Sequence, residues 1–218
     1  MSIERRMTRA GARVEVREAK SGPGMVVGHA AVYFDPADPG TRYMLWDDVE
    51  ERVARGAFDR ALRDRQDVRA LFNHSPDYVL GRTAAGTCRL ASDDVGLRYE
   101  ADAPDTQAGR DVVTLVRRGD VTGSSFGFRV VKDTVTRELR DGHAYYIRTI
   151  EDVDLYDVSP VTFPAYEGTD AGARAAIVAR AVCGDPAAEA DRIRAAAGED
   201  PAIAAARRAR SIAIAERS

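Results

Sequence analysis

Residues 123–128, Gly-Ser-Ser-Phe-Gly-Phe, place two adjacent hydroxyls between glycines and ahead of an alternating apolar run. A serine becomes a nucleophile only when a positioned base takes its proton. The chain offers three histidines for that task, His29, His74 and His143. Residues 123–127 match G-x-S-x-G, the pattern whose serine sits on a strand–turn–helix elbow. Here Phe126, Phe128 and Val130 alternate with Gly127 and Arg129, so the serine leads into a strand. Only His143 follows it, beside the Asp141-Gly142 turn, where a solvated residue is expected. The elbow reading is therefore set aside.

His29 lies in an apolar strand segment, where a buried histidine with a satisfied partner is the usual explanation. His74 follows Val68–Asn73 and precedes Ser75-Pro76, a place where the chain leaves a sheet. Strand ends hold site residues on a rigid scaffold, which makes His74 the candidate base, with an exposed loop histidine as the bland alternative. Strand parity chooses between the serines. Ser125, Gly127 and Arg129 share one face, and Phe126 and Phe128 the other. Ser125 then faces a cleft while the phenylalanines enter the core. Gly123 and Gly127 flank it and leave room for a substrate backbone. Ser124 falls on the phenylalanine face, where a turn-capping hydroxyl is the simpler role.

The elements that must position these residues are mostly short strands. Residues 13–18, 25–34, 68–73, 78–83, 87–92 and 96–102 read as strands, separated by turn signals at Ser75-Pro76, Ala85-Gly86 and Asp93–Gly96. Two further stretches, 124–135 and the segments 144–150 and 154–163, are joined through a hairpin at Arg140-Asp141-Gly142. Short strands at this spacing indicate a barrel or sandwich. Residues 56–65 read as a short helix, with Phe58 and Leu62 on one face. Residues 105–119 read as a longer one, capped by Asp105 or Thr106, striped by Val112, Leu115 and Val116 and stopped at Gly119. Residues 171–218 hold 19 alanines among 48 residues with many charges, a composition that makes helix rather than core. The chain thus divides into a frayed N-terminus (1–11), a β-rich domain (12–170) and a helical or disordered tail (171–218).

Composition excludes several classes. The net charge of −3 provides no electrostatic case for nucleic acid, and no apolar run approaches the ~18 residues of a membrane span. The N-terminal stretch is basic without an apolar core, so it is not a secretory signal. Cys88 and Cys183 form neither a metal-ligand nor a redox pattern and suit a reducing cytosol.

Three blocks in order, Leu71–Arg82 (LFNHSPDYVLGR), Arg117–Val130 (RRGDVTGSSFGFRV) and Leu155–Tyr166 (LYDVSPVTFPAY), resemble the signature blocks of the prohead maturation proteases of tailed bacteriophages, a family akin to the herpesvirus assemblins. A fourth block, Val49–Leu62, resembles the family's Gly-Ala-Phe helix start. The resemblance spans roughly residues 25–170. It implies a mainly β fold with helices (α+β), an assemblin-like closed β-barrel surrounded by a few helices. It also implies serine endopeptidase activity, with Ser125 as nucleophile, His74 as general base and Asp157 orienting His74. Where the family usually carries Glu, this chain has Asp157, one methylene shorter. Assemblins use a second histidine as third member, which makes His29 the runner-up. By alternation Leu155, Asp157 and Ser159 share a face, so the Asp157 carboxylate is partly desolvated and needs a partner, either His74 or an arginine. Oxyanion donors are sought in Arg129 or backbone N–H groups near Gly123.

Acyl transfer of this kind needs no metal or organic cofactor. The implied substrates are the major capsid protein, scaffold segments and the protease itself, inside an immature procapsid in the host cytoplasm or in a bacterium carrying a prophage. The tail is read as a self-removed segment or a packing contact, and homo-oligomerisation is left open. Two rival readings are a non-proteolytic, esterase-like serine hydrolase and a catalytically silent assembly scaffold.

Overall fold

The computed structural model describes residues 3–7, 14–19, 21–141, 143–162 and 186–205. Eleven strands and three named α-helices follow in chain order among them, and residues 201–205 are also helical. The strands are β1 (Glu4–Met7), β2 (Glu15–Arg17), β3 (Met25–Val32), β4 (Tyr43–Trp46), β5 (Val49–Val53), β6 (Arg69–Phe72), β7 (Ser75–Arg82), β8 (Cys88–Ser92), β9 (Gly96–Asp102), β10 (Gly123–Arg140) and β11 (His143–Val161). The helices are α1 (Asp59–Arg63), α2 (Gln107–Arg118) and α3 (Pro186–Ala196). The chain is thus mainly β with a few helices, as expected.

The strands form two sheets. The larger runs β1-β10-β11-β5-β4, with the β6–β7 hairpin attached beside β11, and the smaller runs β2-β3-β9-β8. One core joins them: Val26, Leu97 and Tyr99 of the smaller sheet meet Phe126, Phe128, Ile150 and Val158 of the larger. Phe126 stacks on Phe128 at 4.5 Å between ring centroids and meets Phe58 edge-on at 5.7 Å. Among the described residues neither sheet closes on itself. Isolated bonds, such as Val14 N–H to Thr122 O (3.2 Å) and Phe34 N–H to Val53 O (2.9 Å), link the sheets without building a ladder between them. The closed barrel expected from the resemblance is therefore not seen as a continuous ring of strands.

Local signals account for most elements. α2 starts at Thr106, whose side chain accepts from the Gly109 N–H, and ends at Gly119 with φ 82°, the left-handed stop that glycine supplies. Its buried stripe is Val112, Val113 and Val116, with Leu115 at the margin. The two strands that flank Asp141 are far longer than the pattern indicates: β11 runs unbroken from His143 to Val161. It pairs parallel with β5 over Tyr146–Ile150 and then with β6 at Asp157 and Val158. β4 and β5 carry no alternating signature, because Glu50 and Glu51 of β5 are both buried against arginines. Two named elements lie in the segments outside the β-rich stretch. The frayed N-terminus contains β1, held because Arg6 is buried against Glu51. The Ala-rich tail contributes to a second small core, where Ala190 and Ile193 of α3 pack with Val49 and Tyr146. Residues 163–185 and 206–218 lie outside the described residues.

A polar clamp fixes β11 just ahead of its last turn of sequence. Asp154 is bonded by Arg60 (2.7 Å), Gln66 (2.9 Å) and Arg129, and the Gln66 side chain accepts from the Leu155 N–H at 2.8 Å. The Arg129 and Arg60 bonds hold the Asp154 carboxyl down to about 2. A group whose pKa is depressed on folding adds stability above its unfolded value, about 3.9 for aspartate, and that contribution is lost as pH falls through the folded value. Asp154→Asn should therefore lower the urea midpoint at neutral pH, and the gap to the parent should close as pH approaches about 2. A gap independent of pH would show that the charge of Asp154 is irrelevant.

Candidate active site

His74 lies in the two-residue turn between β6 and β7, where Phe72 pairs directly with Ser75. Asn73 and His74 have φ values of 52° and 57°. Positive φ at both central residues is what the type I′ hairpin turn requires, and Asn suits it better than His. The turn comes one dipeptide earlier than the Ser75-Pro76 signal, which falls inside β7. The end of β11 holds it: Asn73 N–H donates to Pro160 O (3.1 Å), and His74 N–H to Ser159 Oγ (3.3 Å). The Asn73 side-chain oxygen accepts from the Thr162 N–H at 3.0 Å.

This anchoring brings the imidazole between two strands. His74 Nε2 is 2.6 Å from Ser125 Oγ on β10, and His74 Nδ1 is hydrogen-bonded to Asp157 Oδ1 on β11. With Asp157 ionised, Nδ1 is the donor and Nε2 is left to accept from the hydroxyl. Ser159 Oγ donates to the same Asp157 oxygen at 2.9 Å. The side chains are nearly sealed from water: Ser125 is 0% exposed, Asp157 6% and His74 7%. A line of charge and hydrogen bonds in so dry a place interacts strongly. It can move a proton from the hydroxyl to the ring while the carboxylate stabilises the imidazolium that results.

The other candidates fall elsewhere. Ser124 is fully buried and bonded to Tyr99 Oη at 3.0 Å, on the core side of β10 as parity required. His29 Nε2 bonds Asp93 Oδ2 at 2.8 Å, and the Nδ1 of His74 is taken by Asp157. His143 is exposed. Arg129 is engaged by Asp154 in the clamp, and Gly123 pairs with Val161 in the ladder. Burial pushes the Cys88 thiol up to about 12, far from a nucleophilic thiolate. No cluster that could hold a metal ion occurs among the described residues.

Two features of the site escaped the sequence pattern. Phe128 pairs with Leu155 while Gly127 pairs with Asp157, so Tyr156 is an extra residue on β11, a bulge. The bulge reverses parity. Leu155 and Val158 both enter the core, while Asp157 faces His74, so Leu155 does not share the face of Asp157 as simple alternation required. The second feature is the true role of Gly127. A Cβ there would stand 2.2 Å from Asp157 Oδ2, so the space it vacates is filled by the carboxylate and not by a substrate backbone. Gly127→Ala should keep the fold at a cost of about 1–3 kcal/mol and displace Asp157. In one-dimensional proton NMR the far-downfield N–H signal of a His–Asp pair should vanish in that variant. An unchanged signal would mean that Gly127 does not make the room for Asp157.

The model of the caudovirus prohead serine protease family matches residues 13–181. No curated protein sequence matches the chain. Among solved structures the chain is similar to the bacteriophage T4 capsid assembly protease, gp21, at 12% identity and a TM-score of 0.41, over 75% of this chain and 100% of that one. The family match takes in the buried serine, the histidine turn and the acidic strand end, and the chain belongs to the caudovirus prohead serine proteases.

Proposed function

We propose that the chain hydrolyses peptide bonds with Ser125 as nucleophile, His74 as general base and Asp157 as the group that orients His74. One observation carries this reading: Ser125 Oγ, both ring nitrogens of His74 and the Asp157 carboxylate form a continuous buried hydrogen-bonded line. Ser125 Oγ attacks the carbonyl carbon as its proton passes to Nε2. The imidazolium, held through Nδ1–H by Asp157, then gives that proton to the leaving amine. Water repeats the cycle on the acyl-enzyme. The shorter side chain of Asp157 suffices because the β6–β7 turn is drawn onto β11, which brings the ring to the carboxylate. The substrates are capsid and scaffold proteins enclosed with the enzyme in an immature procapsid, and the protease itself.

Ser125→Ala and His74→Ala should each lower kcat on a capsid-protein substrate by roughly 10⁴–10⁶-fold, and the double variant should be no slower, because the three groups act as a unit. Ser124→Ala should keep most activity and lose about 1 kcal/mol of stability through the Tyr99 bond. A fluorophosphonate should label the parent and not Ser125→Ala. Labelling with turnover of small esters alone would favour an esterase. Retained labelling in Ser125→Ala would remove Ser125 from the nucleophile role.

A further inference from the structure

β1 lies antiparallel on the edge of β10, with Arg6 opposite Phe126 and Met7 opposite Ser125. It runs alongside Ser125, whose Oγ donates to the main-chain carbonyl oxygen of Arg6 at 2.9 Å. The only hydrogen on that hydroxyl therefore has two acceptors, the Arg6 carbonyl and His74 Nε2 at 2.6 Å. A peptide carbonyl presented to the nucleophile by an extended strand is the posture of a substrate bound by strand addition. Here the carbonyl oxygen faces the hydroxyl, an arrangement that holds a chain without cutting it.

The Arg6 side chain is equally well received. Its guanidinium, buried and 5.5 Å from the Phe128 ring centroid, bonds both oxygens of Glu51 at 2.5 and 2.9 Å. Glu51 is 0% exposed. Arg148 also bonds it (3.1 Å) but is shared with Glu4, Glu189 (2.6 Å) and Asp133 (2.6 Å). Departure of β1 removes Arg6 and Glu4 together. Glu51 then keeps only Arg148 among the described residues, a guanidinium it shares with Asp133 and with Glu189, whereas Glu189 also retains Arg192. Glu51, sealed while β1 is in place, then lacks its bidentate partner, and an occupant that brings a basic side chain restores that pair.

We propose that β1 is a resident stand-in for substrate on the β10 edge, and that Glu51 selects a basic side chain on the residue whose carbonyl meets Ser125. The inference deepens the proposed function and rests on Ser125 as its nucleophile, yet strand docking can be measured without chemistry. Full-length protein carrying Ser125→Ala with Arg6→Glu sets a carboxylate against Glu51 and frees the edge. Arg6→Ala in place of Arg6→Glu serves if the first variant folds poorly. A fluorescent peptide of the sequence of residues 3–8 should bind the freed protein at least tenfold more tightly than the same peptide with Gln in place of its second arginine. Glu51→Gln should erase that preference. Equal binding of the two peptides, or a preference that survives Glu51→Gln, overturns the proposal. In the Ser125 background, Arg6→Glu should raise the fluorophosphonate labelling rate at least tenfold, and an unchanged rate on a labelling protein overturns the covering role of β1. Selective docking in a protein that never labels would instead count against Ser125 as nucleophile and leave the docking site standing.

Discussion

Two consecutive residues in left-handed backbone, Asn73 and His74, must be held there by something other than their own preference. The conformation costs about 1–2 kcal/mol for each residue with a side chain. It is offset by the bonds that tie the turn to Pro160, Ser159 and Thr162, each worth about 0.5–1.5 kcal/mol. The position of the imidazole is thus a consequence of where β11 ends. Ser159 does double duty there, accepting from the turn backbone and donating to the carboxylate that faces the ring. Ring, acid and turn form one unit, and none of them is set by its own strand alone.

β11 is the member against which the rest is assembled. It pairs with β10 along its length, and on its other edge with β5 and then β6. The bulge at Tyr156 lets a strand whose earlier residues fill the core with Val153 and Leu155 turn a carboxylate toward the histidine two residues later. The Arg60, Gln66 and Arg129 contacts to Asp154 hold the strand immediately before that bulge, so α1 supports the site without touching it.

A second set of buried charges connects segments that are remote in sequence. Arg6, Glu51 and Arg148 are all nearly sealed from water, and Glu4 and Glu189 complete their shell from β1 and α3. Such pairs are weak evidence of stability, because desolvation cancels much of their attraction, but removing one partner strands a charge. The N-terminal strand, β5, β11 and α3 meet where Glu51 and Arg148 are neutralised.

The residue types and alternation already select Ser125 over Ser124, the histidine at a strand end, the α2 boundaries and a mainly β chain, because these follow from period-two parity, caps and glycine stops that act within a few residues. The pairing of His74 with Asp157 was expected from the family resemblance, with an arginine and His29 kept as rivals, and the residues alone did not choose among them. Only the folded chain decides the rest. The bulge at Tyr156 reverses parity through a single unpaired residue that no pattern marks. Gly127 is small for the sake of a carboxylate on the neighbouring strand. β1 and β5 escape recognition because their buried positions carry Arg and Glu, which read as exposed until the opposite charge, many residues away, is brought alongside. Hydrophobic patterning reports burial only where burial is apolar, and at this site it is ionic.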